Sequence, residues 1–208
     1  MDLLRIDRVR KALNQFNPIK LGLGEMRSAS VLLLLDDSMG KENIDVILTR
    51  RANFLGVHSG QVAFPGGGTS LVDSSAADTA LREAEEEIEL HRENVELLGP
   101  LSDMITISDF HITPFVGYLL HNQEFAANPM EVDRVFCVPL AVLADLSRWE
   151  REQHTYKGQE VALWHLHYDG EDIWGVTAHI LFEFLRVIGL PTPEVSIWNV
   201  EKSVSEKG

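Results

Sequence analysis

Cysteine is almost missing from this chain: its 208 residues include one, Cys137 in "VFCVP". A single thiol excludes an internal disulfide framework, and apolar neighbours make it read as a small buried hydrophobe rather than a nucleophile. Long hydrophobic runs are missing too. The longest, "VLLLL" at 31–35, falls far short of the roughly 20 residues that cross a bilayer, so no membrane span is expected. The opening "MDLLRIDRVRKALNQF" carries charge at Asp2, Arg5, Asp7, Arg8 and Arg10, which breaks the apolar core a secretory signal needs. The cytoplasm is the expected compartment. Basic residues are scarce: 18 Lys and Arg against 32 Asp and Glu leave a net charge of −14. Such a surface repels a phosphate backbone, which argues against nucleic-acid binding through a broad basic patch. An anionic small molecule would need a cation as intermediary.

What is present describes a globular protein. Apolar residues make up 45% and charged residues 24%, enough to bury one sizeable core but too short a chain for two full domains. Residues 1–27 read as an N-terminal helical extension, stopped by Pro18. Residues 28–190 form the principal domain, and 191–208 form a weakly patterned tail expected to end in disorder. Within the domain, "SASVLLLLDD" and "IDVILTRR" read as strands, then a short strand near Val62 runs into Pro65 and three glycines. "VELLGPL" and "HITPFVGYLL" follow as strands with "SDMITISDF" as a loop between them. "EVDRVFCVPLAVLADL" reads as a strand turning at Pro139 into a short helix. "VALWHLHYDGEDIWGVT" predicts a hairpin about Asp169-Gly170, and "AHILFEFLRVIG" a helix closed by Gly189. Strands and helices interleave with short connections, which gives an α/β fold with a mixed sheet.

One segment concentrates charge. "LREAEEEIEL", residues 81–90, holds five glutamates. Ser75 to Asp78 fits a capping box, so the segment reads as a helix. An advance of 100° per residue places Ala77, Ala80, Leu81, Ala84 and Ile88 on one buried stripe. Glu83, Glu86 and Glu87 fall within an arc of about 100° beside it, while Arg82, Glu85 and Glu89 point elsewhere. A hard divalent cation would relieve the repulsion among the three carboxylates, since it prefers their oxygens and keeps waters or phosphates as its other ligands. A solvated charged face is the alternative, because glutamate is a good helix former. Context decides between them.

The run "GGGTSLVDSSAADTALREAEEEIEL" resembles the Nudix box at Gly68, Arg82-Glu83-Ala84 and Glu86-Glu87. "ILTRRANFLGVHSGQVAFPGG" upstream resembles the signature of the coenzyme A pyrophosphatase branch of the Nudix hydrolases. Three positions depart from the pattern: Ser74 replaces the box's usual glutamate, with Asp73 beside it; Glu89 replaces a glycine near the helix end; Gly56 replaces an arginine.

The resemblance implies a Nudix-type α/β/α sandwich and hydrolysis of a nucleoside diphosphate derivative with Mg2+ or Mn2+. It implies Glu83 and Glu87 as metal ligands, with Glu86 a further ligand or the holder of a bound water. Glu86, Arg82 and Glu131 make up its catalytic set, Arg82 orienting the loop through ion pairs and Glu131 a candidate general base. Substrate is expected at Arg50 or Arg51, at His58 and Gln61, and along Gly66, Gly67 and Gly68, where the missing Cβ atoms permit close approach. Isolated glycine turns, a structural histidine or a surface glutamate would need no such role. The four tryptophans read as core rather than as adenine platforms. Coenzyme A or a thioester is the implied small-molecule substrate; Gly56 keeps another nucleotide such as ADP-ribose open, and a non-catalytic nucleotide sensor is the third reading. A homodimer is compatible with all three.

Overall fold

The computed structural model describes residues 5–22, 26–37, 44–53, 60–106, 110–156 and 159–194. Its architecture follows from β1 (Arg27–Asp36). Leu32, Leu33, Leu34 and Leu35 are all fully buried, and successive strand residues face opposite sides, so both faces of this sheet must be covered. Before β1 stands α1 (Ile6–Gln15); after it come β2 (Asp45–Arg51), β3 (Val62–Ala63), β4 (Gly66–Gly68) and α2 (Ala76–Ile88). The chain continues through β5 (Val95–Pro100), β6 (Met104–Ile105), β7 (Phe110–Leu119), β8 (Val132–Pro139) and α3 (Leu140–Leu143). It then forms β9 (Trp149–Tyr156), β10 (Gln159–Tyr168), β11 (Glu171–Ile173) and α4 (Gly175–Val187).

The larger sheet is mixed. β1 runs parallel to β7 on one edge and shares its other edge, antiparallel, between β2 and β4. β3 and β8 pair with β2, and β5 and β6 with β7. On one face Ala80, Ala84 and Ile88 of α2 pack on Leu32, Leu34 and Ile47. On the other, Val9 and Leu13 of α1 and Leu181, Phe184 and Leu185 of α4 join the cluster that holds Leu33, Leu35, Val46 and Leu48. The result is the expected α/β/α sandwich with an N-terminal helix, and Arg10 of α1 reaches Glu96 of β5 at 2.6 Å. No helix among the described residues is long and apolar enough to cross a membrane.

Three elements depart from the sequence reading. The glycines form a paired strand on β1 instead of a free turn. Met104–Ile105, expected in a loop, pairs with β7. The polar stretch "WEREQHTY" is β9, the edge of a second, three-stranded antiparallel sheet ordered β11-β10-β9. The β10–β11 hairpin does turn at Asp169 and Gly170, with φ of 53° and 81°. Trp149 is core, its ring edge-on to Phe182 at 4.5 Å.

The end of α2 resolves one departure from the family pattern. Glu89 takes the left-handed conformation, φ 53° and ψ 37°, and its N–H donates to Glu85 while Leu90 N–H reaches back to Ala84. This is the closure a glycine usually supplies. A side chain in that region costs roughly 1–2 kcal/mol, so Glu89→Gly is expected to raise the unfolding free energy by about 1 kcal/mol. Ile88→Ala, one residue earlier and fully buried, should lower it by about 2–5 kcal/mol. Urea denaturation of the two variants checks both, and a loss of stability in Glu89→Gly would contradict the closure.

Candidate metal centre

The N-terminal turn of α2 holds its own charges in place. Ser75 Oγ accepts the Asp78 N–H at 3.1 Å, and Asp78 accepts the Ser74 N–H at 2.9 Å. The reciprocal arm of the capping box thus reaches Ser74, one residue before the cap. Asp73 accepts from Ser70 N–H at 2.7 Å, from Thr79 Oγ1 at 2.9 Å and from Arg82 Nε at 2.6 Å. The Arg82 guanidinium, first among these partners, holds the Asp73 carboxyl well below the usual carboxylate range. The carboxylate next to Ser74, that of Asp73, is thus the one fixed against Arg82 at this end of the helix.

Arg82 does not point away from the glutamates. Its Nη2 donates to Glu83 at 2.8 Å and to the Gly68 carbonyl at 3.1 Å, and its Nη1 to Glu86 at 3.1 Å. A helical wheel tracks the direction of Cβ, whereas the long arginine stem carries its charge around the helix. One guanidinium therefore anchors Asp73, Glu83 and Glu86 together.

Glu87 is the buried member of the set, 2% exposed. It accepts the Gly66 N–H at 3.0 Å and lies 3.6 Å from Arg51 Nη1. Gly66 has φ of 153°, and a Cβ there would meet the Ser30 carbonyl at 2.4 Å, so glycine is what lets β4 present this amide. The segment after β7 folds back over the end of α2: Ala126 N–H donates to Ile88 and Asn128 N–H to Glu87, through their carbonyls. That return brings in Glu131. Glu83, Glu87 and Glu131 each offer a carboxylate oxygen, all within 4.8 Å of one another. Burial pushes the Glu87 carboxyl up to about 7, against the Gly66 amide and Arg51 and with added repulsion from Glu83 and Glu131. Burial also raises Glu83, opposed by Arg82.

The other residues singled out from sequence fall as follows. Glu86 is half exposed at the rim, tied to Arg82. Arg50 points to the second sheet, 3.0 Å from the buried Glu171 of β11, which also binds Arg134 at 2.9 Å. Arg51 alone of the pair approaches the glutamates, and Gln61 stands beside it, its carbonyl accepting the Arg51 N–H at 3.0 Å. Gly67 faces Glu83, Gly68 faces Arg82, and His58 and Gly56 lie outside the described residues. The Arg51–Glu87 contact and the Asn128 tie carried no sequence signal, because both join segments remote in the chain.

Asp73, Glu83, Glu86, Glu87 and Glu131 thus stand against Arg82 and Arg51. An all-oxygen donor set with surplus negative charge, one carboxylate of it buried, suits a hard divalent cation. The fold and the site together define an α/β/α protein with a carboxylate-centred candidate metal site.

The chain belongs to the NUDIX family: residues 25–158 match the NUDIX domain. It is 35% identical over 188 residues to a protein described as an uncharacterized Nudix hydrolase, NudL, of Salmonella dublin, covering 90% of this chain and 91% of that one. A protein of the same description from Enterobacter sp. (strain 638) is 36% identical over 164 residues, covering 79% and 84%. The crystal structure of a MutT/nudix family protein from Enterococcus faecalis shares the fold, with a TM-score of 0.50 at 16% identity over 89% of this chain and 75% of that one. The chain is thus a Nudix hydrolase, of the family that cleaves nucleoside diphosphate derivatives with a divalent metal.

A Cβ on residue 67 would lie 2.3 Å from Glu83 Oε2 and 2.6 Å from its Cδ. Gly67→Ala should therefore displace Glu83 and weaken Mn2+ binding by about 10- to 100-fold. The melting temperature should move little, since the clash is with the far end of a side chain and not with backbone. Calorimetric titration with Mn2+ checks this, and an unchanged affinity would remove Glu83 from the ligand set.

Proposed function

We propose that the chain hydrolyses the diphosphate of coenzyme A or its thioesters, releasing 4′-phosphopantetheine, free or acylated, and adenosine 3′,5′-bisphosphate. The observation that carries the reading is the convergence of Glu83, Glu87 and Glu131 with Arg51 at their edge. The run "ILTRRANFLGVHSGQVAFPGG" supplies the substrate branch.

Glu83 and Glu87 are the side chains placed to hold Mg2+ or Mn2+, with Glu86 a further carboxylate at the rim and Glu131 facing them. When bound, such a cation supplies neutralisation of phosphate charge and a lowered pKa for water. Arg82 positions Glu83 and Glu86. Arg51 meets a phosphate oxygen of the substrate, a role open to it and not to Arg50, whose guanidinium is engaged by Glu171. Water attacks one phosphorus, the bridging P–O bond breaks, and Glu131 is the carboxylate placed to take the water's proton. The Gly66–Gly68 strand runs beside Glu83 and Glu87 without side chains of its own, which suits close approach by a diphosphate; Gln61 and His58 are the further substrate contacts that the family resemblance implies.

Gly56 favours a second reading, ADP-ribose or a related nucleotide, because the branch's usual arginine is missing there. Incubation of the purified chain with coenzyme A and, side by side, with ADP-ribose, each with and without Mn2+, separates the two by the masses of the products. The expected result is metal-dependent release of adenosine 3′,5′-bisphosphate from coenzyme A. Glu87→Gln should lower that turnover on the order of 100-fold or more without loss of thermal stability, since it removes a buried charge. Full activity in Glu87→Gln would dismiss the site; turnover of ADP-ribose alone would dismiss the substrate.

A further inference from the structure

The second sheet carries a cluster of different chemistry. Alternation along β9 and β10 puts Glu150, Glu152 and His154 on one face with His165 and His167, and Asp172 of β11 pairs in register with His167. His154 Nε2 and His165 Nε2 face each other at 3.1 Å. The other nitrogen of His165, Nδ1, lies 3.0 and 3.1 Å from the two oxygens of Asp172. That carboxylate makes Nδ1 the protonated nitrogen and turns a lone pair on Nε2 toward His154. Glu152 Oε2 stands 3.9 Å from His154 Nε2, and one ligand atom from each of Glu152, His154 and His165 lies within 4.8 Å of the others.

We propose that Glu152, His154 and His165 bind a divalent transition-metal ion of the zinc class, with Asp172 orienting His165 from behind. Two nitrogens, each about 2.0–2.1 Å from a tetrahedral Zn2+, lie about 3.3 Å apart, close to the separation found. Two imidazoles and a carboxylate suit a borderline ion, and Mg2+ is a poor match for them. A ligating histidine that gives its second N–H to a carboxylate is the usual means of fixing ring and tautomer. The ring of His165 is buried at 4% exposure, and Trp174 lies nearly parallel to both imidazoles, at 11° to His165 and 2° to His154. The donors are thus held before an ion arrives. Glu150, Glu152 and Asp172 give the face negative charge to favour a cation. Three protein ligands leave a fourth position for water or a small ligand. This site is built on strands and residues separate from the glutamates of α2, and it stands independently of the substrate reading.

The test titrates the chelator-treated full chain with Zn2+ alone, in a Glu87→Gln background that weakens the carboxylate centre. Long-range 15N correlation spectra of the imidazoles report which ring nitrogens are ligated. One Zn2+ equivalent is expected, with Nε2 of His154 and His165 both shifted to the ligated range and no displacement by millimolar Mg2+. Asp172→Asn should weaken Zn2+ by about 10- to 100-fold, and His154→Ala and Glu152→Gln by at least as much; their side chains are partly or fully exposed, which spares the fold. Undiminished Zn2+ affinity in His154→Ala, no uptake in the Glu87→Gln background, or a His154 Nε2 that keeps its proton under saturating Zn2+ would overturn the proposal. The pair would then be a histidine–histidine hydrogen bond and nothing more.

Discussion

Keeping the Glu87 carboxylate inside the protein is the constraint on which the site depends. A lone buried carboxylate is costly unless charge or hydrogen bonds compensate it, and Glu87 has one backbone amide and one arginine at 3.6 Å. That is partial compensation, and Glu83 and Glu131 work against it. The surrounding fold holds the arrangement by packing: Ala80, Ala84 and Ile88 press α2 onto β1, and the return segment bonds the carbonyls of Glu87 and Ile88. Hydrophobic burial on one side of the helix thereby sustains electrostatic strain on the other.

Arginines divide the remaining work. Arg82 gathers Asp73, Glu83 and Glu86 at the mouth of the site. Arg50 and Arg134 share the buried Glu171 and so join β2 and β8 of the main sheet to β11 of the second. Arg51, next in sequence to Arg50, lies where the β2–β8 register shifts. Such an irregularity re-aims side chains, and these two neighbours reach different partners: one secures the second sheet, and the other stands beside the glutamates.

Much of the fold was legible in the sequence because its signals are local. "SASVLLLLDD" read as a strand, the Ser75 cap and the apolar stripe marked α2, and Asp169-Gly170 marked a hairpin. The elements that escaped notice are those whose pairing comes from elsewhere. Gly66–Gly68 has no strand propensity and is extended because β1 lies beside it. "WEREQHTY" runs through Glu150, Arg151 and Glu152 with no apolar alternation to mark a strand, and acquires a buried tryptophan and a histidine pair only when β10 folds back on it. Of the candidate site, Glu83 and Glu87 were legible from helical spacing, but the same wheel misdirected Arg82 and ranked Glu86 with its neighbours, although it lies exposed.

The sequence by itself determined the acidic helix, the alternation that builds the sheet, and membership of a family recognised by short motifs, since each depends on residues within a few positions of one another. Only the tertiary structure decided that Glu131 completes the carboxylate group, that Arg51 and not Arg50 approaches it, and that His154 and His165 meet. These are contacts between segments distant in the chain. Which such segments adjoin is set by the register and twist of the sheets, and by the packing of α2, rather than by any local preference.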